Sequence, residues 1–252
     1  MLKPDTPLIS FVDLPSAIGL LSRLPVSVGR NRGAACAWAF PVTGMILGTI
    51  AAAIGWIASA IGLSEGLTAG LALVSLVAMT GAMHEDGLAD SVDGLWGGWD
   101  KTRRLEIMKD SHIGTYGVIA LVLSLLLRWT ALTALAHAGL LTIALIAVAT
   151  LSRVPMVVAM ALMPHARNNG LSVGVGRVGK NTALIAVAIA TPITLVLLGW
   201  SGITVIVLAA IAGTAVALIA MRKIGGQTGD ILGAMQQIAE IAGLMALSTA
   251  LI

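Results

Sequence analysis

Residues Gly202–Met221 read GITVIVLAAIAGTAVALIAM, twenty residues without one charged side chain. At the helical rise such a run is about 30 Å long, the thickness of a bilayer's hydrocarbon core. It lacks the period-two alternation of a barrel strand, and in hydrocarbon every backbone N–H and C=O must be paired internally. The reading is a transmembrane helix. Six further runs share it: Ala34–Ile61, Gly66–Met83, Gly114–Ala136, Leu140–Met163, Ala183–Gly199 and Ile231–Ile252, of which the second and fifth are short. The whole chain agrees, since 58% of its 252 residues are hydrophobic and 11% charged, against roughly a quarter charged in soluble domains. A water-soluble fold has too little interior to hide that much apolar surface. The expected fold is all-α: a polytopic membrane bundle of about seven helices, forming one membrane-embedded catalytic domain over residues 1–252.

The basic residues orient the bundle. Lys3, Arg23, Arg30 and Arg32 precede the first run; Lys101, Arg103, Arg104 and Lys109 follow the second; Arg167, Arg177 and Lys180 follow the fourth; Arg222 and Lys223 follow the sixth. Thirteen of the fifteen Lys and Arg residues therefore fall on one side, and the opposite loops carry none. The positive-inside rule puts that side in the cytoplasm, with the N-terminus in and the C-terminus out. Leu8–Leu24 reads as an N-terminal interfacial helix, because Asp13 and Pro15 argue against an eighth span and Pro25 ends it. Pro4, Pro7, Pro15, Asp5 and Asp13 interrupt any signal-peptide core. The lone Cys36 excludes an intrachain disulfide and a cysteine metal site. Gly44 with Gly48, and Gly66 with Gly70, have the spacing that lets helices approach closely. The net charge of +3 is small, and no nucleic-acid partner is expected.

Seven of the twelve acidic residues crowd into His84–Asp110, and 84–113 is expected to be an acidic cytoplasmic catalytic loop. Asp86, Asp90 and Asp93 stand at i, i+4 and i+7, one face if helical. A charge run is ordinarily a solvated face. Here glycines and small apolar residues fill the gaps, the carboxylates start where an apolar run ends, and Trp96 and Trp99 flank glycines. Partly desolvated carboxylates at that depth need a counter-charge. An all-oxygen set suits Mg²⁺, which keeps waters and bridges to phosphates, better than zinc, for which His84 and His112 lack a ligand spacing.

The other cytoplasmic segments complement it. Gly225–Asp230 (GGQTGD) opens the last helix, where backbone N–H groups of Gly226 and Thr228 favour an anion and Asp230 offers a carboxylate; a plain tight turn is the alternative. Arg167, Arg177 and Lys180 lie among glycines, as in a phosphate-binding strap or as simple positive-inside charge. Arg128 and Arg153 lie inside apolar runs, where each needs a partner, an acidic neighbour or a phosphate reaching down from the cytoplasmic face.

At these residues the chain resembles the cobalamin synthase family, the adenosylcobinamide-GDP ribazoletransferases. The matching stretches are Arg23–Val26, Phe40–Gly44, His84–Gly94 (HEDGLADSVDG), Leu105–Thr115 (LEIMKDSHIGT), Ser152–Arg153, Ala166–Leu171 and Gly225–Asp230. Asn168 and Asn169 depart from the acidic residues usual there, which removes an acidic role and leaves Arg167 intact. The resemblance implies that adenosylcobinamide-GDP and α-ribazole, or its 5′-phosphate, are joined with release of GMP, that Mg²⁺ is used and that the enzyme sits in the inner membrane. On that reading Asp86, Asp90 and Asp93 are metal ligands, Asp230 closes the metal site, Asp110 is a further ligand or the base, and Arg153 and Arg167 hold phosphate oxygens. Two rivals are weaker. Asp90-x-x-Asp93-Gly94 echoes CDP-alcohol phosphotransferases, but Gly97-Gly98 stands where Ala-Arg belongs. A transporter would place its charges at the membrane midplane and often shows internal repeats, and none is seen.

Overall fold

A computed structural model describes residues 7–27 and 32–249. Lys3, Pro4, Asp5, Arg30 and the last three residues of the seventh run lie outside the described residues. In chain order the helices are α1 (Asp13–Leu21), a 3-10 segment (Gly33–Ala39) continuing into α2 (Phe40–Ala60), α3 (Glu65–Thr80), α4 (Met83–Gly97), α5 (Lys101–Ile107), α6 (Thr115–His137), α7 (Leu141–Leu151), α8 (Val154–Leu162), α9 (Leu171–Val175), α10 (Lys180–Leu198), α11 (Ser201–Ile224) and α12 (Gly229–Thr249). No strand occurs among the described residues; the sole extended pairing there is an isolated bridge between His165 and Gln227.

Six helical stretches are long and apolar enough to cross a membrane: Gly33–Ala60, α6, the α7–α8 pair, α10, α11 and α12. The seventh expected span is α3, which passes the same test only together with α4, from which it is bent by 83°. The fourth run, read as one continuous span, divides at Ser152–Arg153 into α7 and α8, with Pro155 in the first turn of α8. Within their apolar windows α7–α8 and α12 are 72% buried and α6, α10 and α11 only 22–28%, so the first set forms the centre and the second the lipid-facing rim. Gly44 and Gly48 do what their spacing suggests: a Cβ on Gly48 would lie 2.6 Å from the Leu145 carbonyl oxygen, so α2 and α7 meet backbone to backbone. Gly66 and Gly70 instead make room for Trp129 of α6, whose Nε1–H donates to the Gly66 carbonyl at 2.8 Å.

The bend sets up the site. α3 ends on left-handed Gly81, and the Ala82 N–H closes back on the Val77 carbonyl at 2.9 Å, a Schellman-type stop. Ala82 is also left-handed (φ 56°), alone among the described non-glycine residues in having positive φ, at a cost of about 1 kcal/mol. Two consecutive left-handed residues turn the chain sharply, so that α4 leaves α3 at 83° and packs against α6 and α12, carrying the carboxylates Glu85, Asp86, Asp90 and Asp93. The segment 84–113, expected as a loop, is thus mostly helix. Leu88, Ser91 and Leu95 give α4 a buried stripe at helical spacing, while Asp100 caps α5 by accepting from the Arg103 N–H at 3.0 Å.

α1 spans nine residues, too few to cross a bilayer. Its fully buried Asp13 accepts from Arg32 at 2.9 Å and from Trp38 Nε1 at 2.7 Å, pinning the helix to the 3-10 segment. The exposed Leu8, Ile9 and Phe11 just before it suit an interface.

Candidate active site

The acidic face of α4 meets the start of α12. Gly87 and Gly233 permit this, since a Cβ on Gly87 would lie 2.9 Å from the Asp230 carbonyl oxygen and 3.2 Å from Gly233 Cα. The contact brings Asp86, Asp90 and Asp230 into one electrostatic group. Asp86 is exposed and Asp90 half-buried. Burial, then the charges of Asp86, Asp230 and Asp93, push the Asp90 carboxyl up to about 7, with Arg167 opposing them.

Arg167 is delivered by the neighbouring loop. Ala166 N–H donates to the Gln227 carbonyl (2.9 Å) and Gln227 N–H to the Pro164 carbonyl (2.8 Å). The buried Gln227 side chain accepts from Ser172 Oγ at 2.8 Å and contacts His165 Nδ1 at 2.9 Å. This frame sets Arg167 Nη2 3.1 Å from Asp230 Oδ2. Gly226 is needed because any Cβ would collide with the Pro164 carbonyl, and Thr228 caps α12, its Oγ1 accepting from the Ile231 N–H (3.3 Å) and donating to Asp230 (3.1 Å). Both are therefore engaged in building the turn that aims Asp230. The strap 166–180 is tied down rather than free, through the Val178 N–H to the Met160 carbonyl at 3.3 Å.

Asp93 faces a different way. Its two carboxylate oxygens accept from the Gly114 N–H (2.7 Å) and the Gly117 N–H (2.9 Å), so it caps the first turn of α6. Asp110 lies in the exposed link between α5 and α6, its Oδ1 2.8 Å from His112 Nδ1, and this bond holds its carboxyl below the usual range. Two cavities flank the acidic face. A polar one of about 270 Å³ is lined by Asp86, Asp90, Lys109, Asp110, Ser111 and His112. An apolar one of about 190 Å³ lies on the α8 side, and Asp86 is the one residue lining both.

Beneath this layer the terminal nitrogens of the intramembrane arginines are bonded to protein, while the Nε of each is buried without a partner. Arg128 of α6 reaches Glu85 of α4 at 2.9 Å and Glu240 of α12 at 3.1 Å, all three buried. Gln237 donates to Glu85 (3.1 Å), and Gln236 to Glu240 (2.6 Å) and Ser152 (3.1 Å). Arg153, also buried, donates to the Ala149 carbonyl at 2.6 Å and lies within the field of Glu240 and Glu85. It is therefore not among the groups brought to the two cavities. The sequence reading passes over Glu240, Gln236 and Gln237. Their signal is there: a lone carboxylate and two amides inside an apolar run.

Among the described residues no three acidic, histidine or cysteine side chains converge tightly enough to enclose a metal by themselves. The donor set fits a cation that takes one or two carboxylates and fills its shell with water and phosphate oxygens, as Mg²⁺ does. Asp86 and Asp90, with Asp230 beside them, are the residues that could hold it.

The family model for cobalamin-5-phosphate synthase matches residues 13–248. The chain is 44% identical over 238 residues to the adenosylcobinamide-GDP ribazoletransferase of Bradyrhizobium diazoefficiens, covering 92% of each chain. It is 44% identical over 243 residues to that of Mesorhizobium japonicum (95% of this chain, 93% of the relative), and 39% over 236 residues to that of Chlorobium phaeovibrioides (90% and 93%). No solved structure matches it.

Proposed function

The chain belongs to the cobalamin-5-phosphate synthase family, and we propose that it joins adenosylcobinamide-GDP to α-ribazole or α-ribazole 5′-phosphate, releasing GMP and completing the nucleotide loop of adenosylcobalamin or its phosphate. The observation that carries this reading is the convergence of Asp86, Asp90, Asp230 and Arg167 at the junction of two cavities of opposite character, one for each side of a two-substrate reaction.

The chemistry is a phosphoryl substitution. A ribazole hydroxyl oxygen forms a bond to the phosphorus that carries the corrinoid, the bridging P–O bond breaks, and GMP leaves with the bridging oxygen. Bound Mg²⁺ would neutralise charge on the phosphate oxygens and the leaving group, held by Asp86 and Asp90 with Asp230 closing the site. Arg167 binds phosphate oxygens, exchanging its Asp230 contact for them in part. Lys109 lines the polar cavity and holds the pyrophosphate from the other side. The Asp110–His112 pair in the same cavity takes the proton lost by the attacking hydroxyl. Asp93 acts by fixing the start of α6 against α4, and in this arrangement both its oxygens are already engaged. Arg153 would support phosphate binding only through the buried network beneath the site. The basic residues gathered on this side support a cytoplasmic site, and the family resemblance an inner-membrane location.

The test is a paired assay in membrane-inserted protein: both substrates with Mg²⁺, then with EDTA, and identification of the corrinoid product. Asp90→Asn is expected to lower GMP release by at least 100-fold while the protein stays folded. Near-normal turnover would remove Asp90 from the site. Turnover of a CDP-alcohol pair in place of the corrinoid pair would overturn the assignment.

A further inference from the structure

We infer that the apolar cavity on the α8 side of Asp86 seats the base of the incoming nucleoside, a flat two-ring aromatic heterocycle entering between Phe40, Met156 and Met160 with His84 Nε2 as its polar partner. This rests on the proposed reaction, and it adds where one of the two substrates binds and what selects it.

Three observations converge. The first is fit. At about 190 Å³ the cavity is too small for a corrin macrocycle and is of the size that a two-ring base occupies. Its far wall is Leu20, Phe40, Met156 and Met160, flexible thioethers and a ring that pack well on an aromatic face. Guanine carries donors and acceptors along its edges, and this wall would leave them unpaired. The benzimidazole base of ribazole has one free ring nitrogen and otherwise an apolar rim.

The second observation is the unpartnered polar atom. His84 is 1% exposed, lines this cavity, and its Nε2 has no hydrogen-bond partner. A buried imidazole nitrogen without a partner is costly unless a ligand supplies one. Arg167 Nη1, at the polar end of the same cavity, is also buried and without a partner. The two orphan atoms thus belong to two residues of this one lining, His84 beside the apolar side chains and Arg167 beside Asp230.

The third is placement. Asp86 and Asp230 form the polar edge of this cavity, and Asp86 is shared with the cavity that holds Lys109 and Asp110. A base seated against the methionines puts its ribose at that edge, with the hydroxyl directed to the junction where the pyrophosphate lies.

The experiment uses the full chain in lipid nanodiscs with Mg²⁺. Direct titration measures Kd for α-ribazole and for an analogue with indole in place of benzimidazole, which lacks the free ring nitrogen. Steady-state assays give KM for each substrate. Met160→Trp, which fills the cavity, is expected to raise Kd and KM for ribazole at least tenfold and KM for adenosylcobinamide-GDP less than twofold. Wild type should prefer ribazole over the indole analogue at least tenfold; His84→Leu should abolish that preference and His84→Gln should keep part of it. The inference fails if Met160→Trp raises the corrinoid KM instead, if it alters neither KM, or if His84→Leu discriminates the bases as wild type does. Should Met160→Trp not fold, the His84 pair decides alone. Expected nucleoside binding with no corrinoid product would sink the proposed reaction and leave the pocket standing; product formation without these binding changes would sink the pocket alone.

Discussion

Asp90 shows how much a single position owes to its neighbours. Its i, i+4, i+7 company was visible in the sequence, and all three carboxylates stay within one another's field, yet both oxygens of Asp93 are taken up by the α6 backbone and those of Asp86 and Asp90 are not. Periodicity gives a face of a helix but not what stands opposite that face. The Asp90 carboxyl, raised to about 7, is above its ordinary value, so folding disfavours its ionised form. Stability of the metal-free protein should therefore fall as pH rises from the ordinary carboxylate range through 7. A cation binding the ionised form should reverse this. Mg²⁺ is expected to raise the Tm of detergent-solubilised protein more at pH 8 than at pH 6, read by thermal denaturation with and without EDTA. Equal increments at both pH values would remove Asp90 from the ligand set.

At the scale of elements, the site depends on how closely α4 and α12 approach. Gly87 looks in sequence like a helix-weakening residue in an acidic loop, but its position leaves no room for a Cβ against the Asp230 carbonyl. Gly87→Ala should push the α12 start away from the acidic face. At least a tenfold loss of turnover is expected with Tm lowered by only a few degrees, because contacts elsewhere along α12 persist. Wild-type turnover would show that the approach is not needed. The end of α3 was legible only approximately, since the apolar run extends to Met83 whereas the helix stops at Thr80. The left-handed Ala82 and the 83° swing were not legible, because a sequence carries no dihedral signature for an alanine held there by its surroundings.

For the whole molecule, one buried charge group ties the catalytic layer to the bundle. Arg128, Glu85 and Glu240 come from α6, α4 and α12, the three helices that also carry the Asp93 cap, the acidic face and Asp230. Removing the arginine strands two buried carboxylates. Arg128→Met should cost about 3–5 kcal/mol, measured as loss of thermal or denaturant stability in detergent. Adding Glu85→Gln and Glu240→Gln to it should recover most of that loss, since no uncompensated charge remains. A triple variant as unstable as the single one would mean that packing, not charge, sets the effect.

The sequence by itself determined the all-helical membrane bundle, the sidedness of the basic residues and the crowding of acids after the second run. These follow from how far apolar and charged groups can be from water, which is a property of the chain read locally. Tertiary structure decided which carboxylates meet, that Asp93 serves a helix end, that Arg153 lies beneath the site, and that two cavities share Asp86. Those outcomes depend on distances between helices far apart in the chain, set by glycines at their crossings and by charge pairing inside a low-dielectric core.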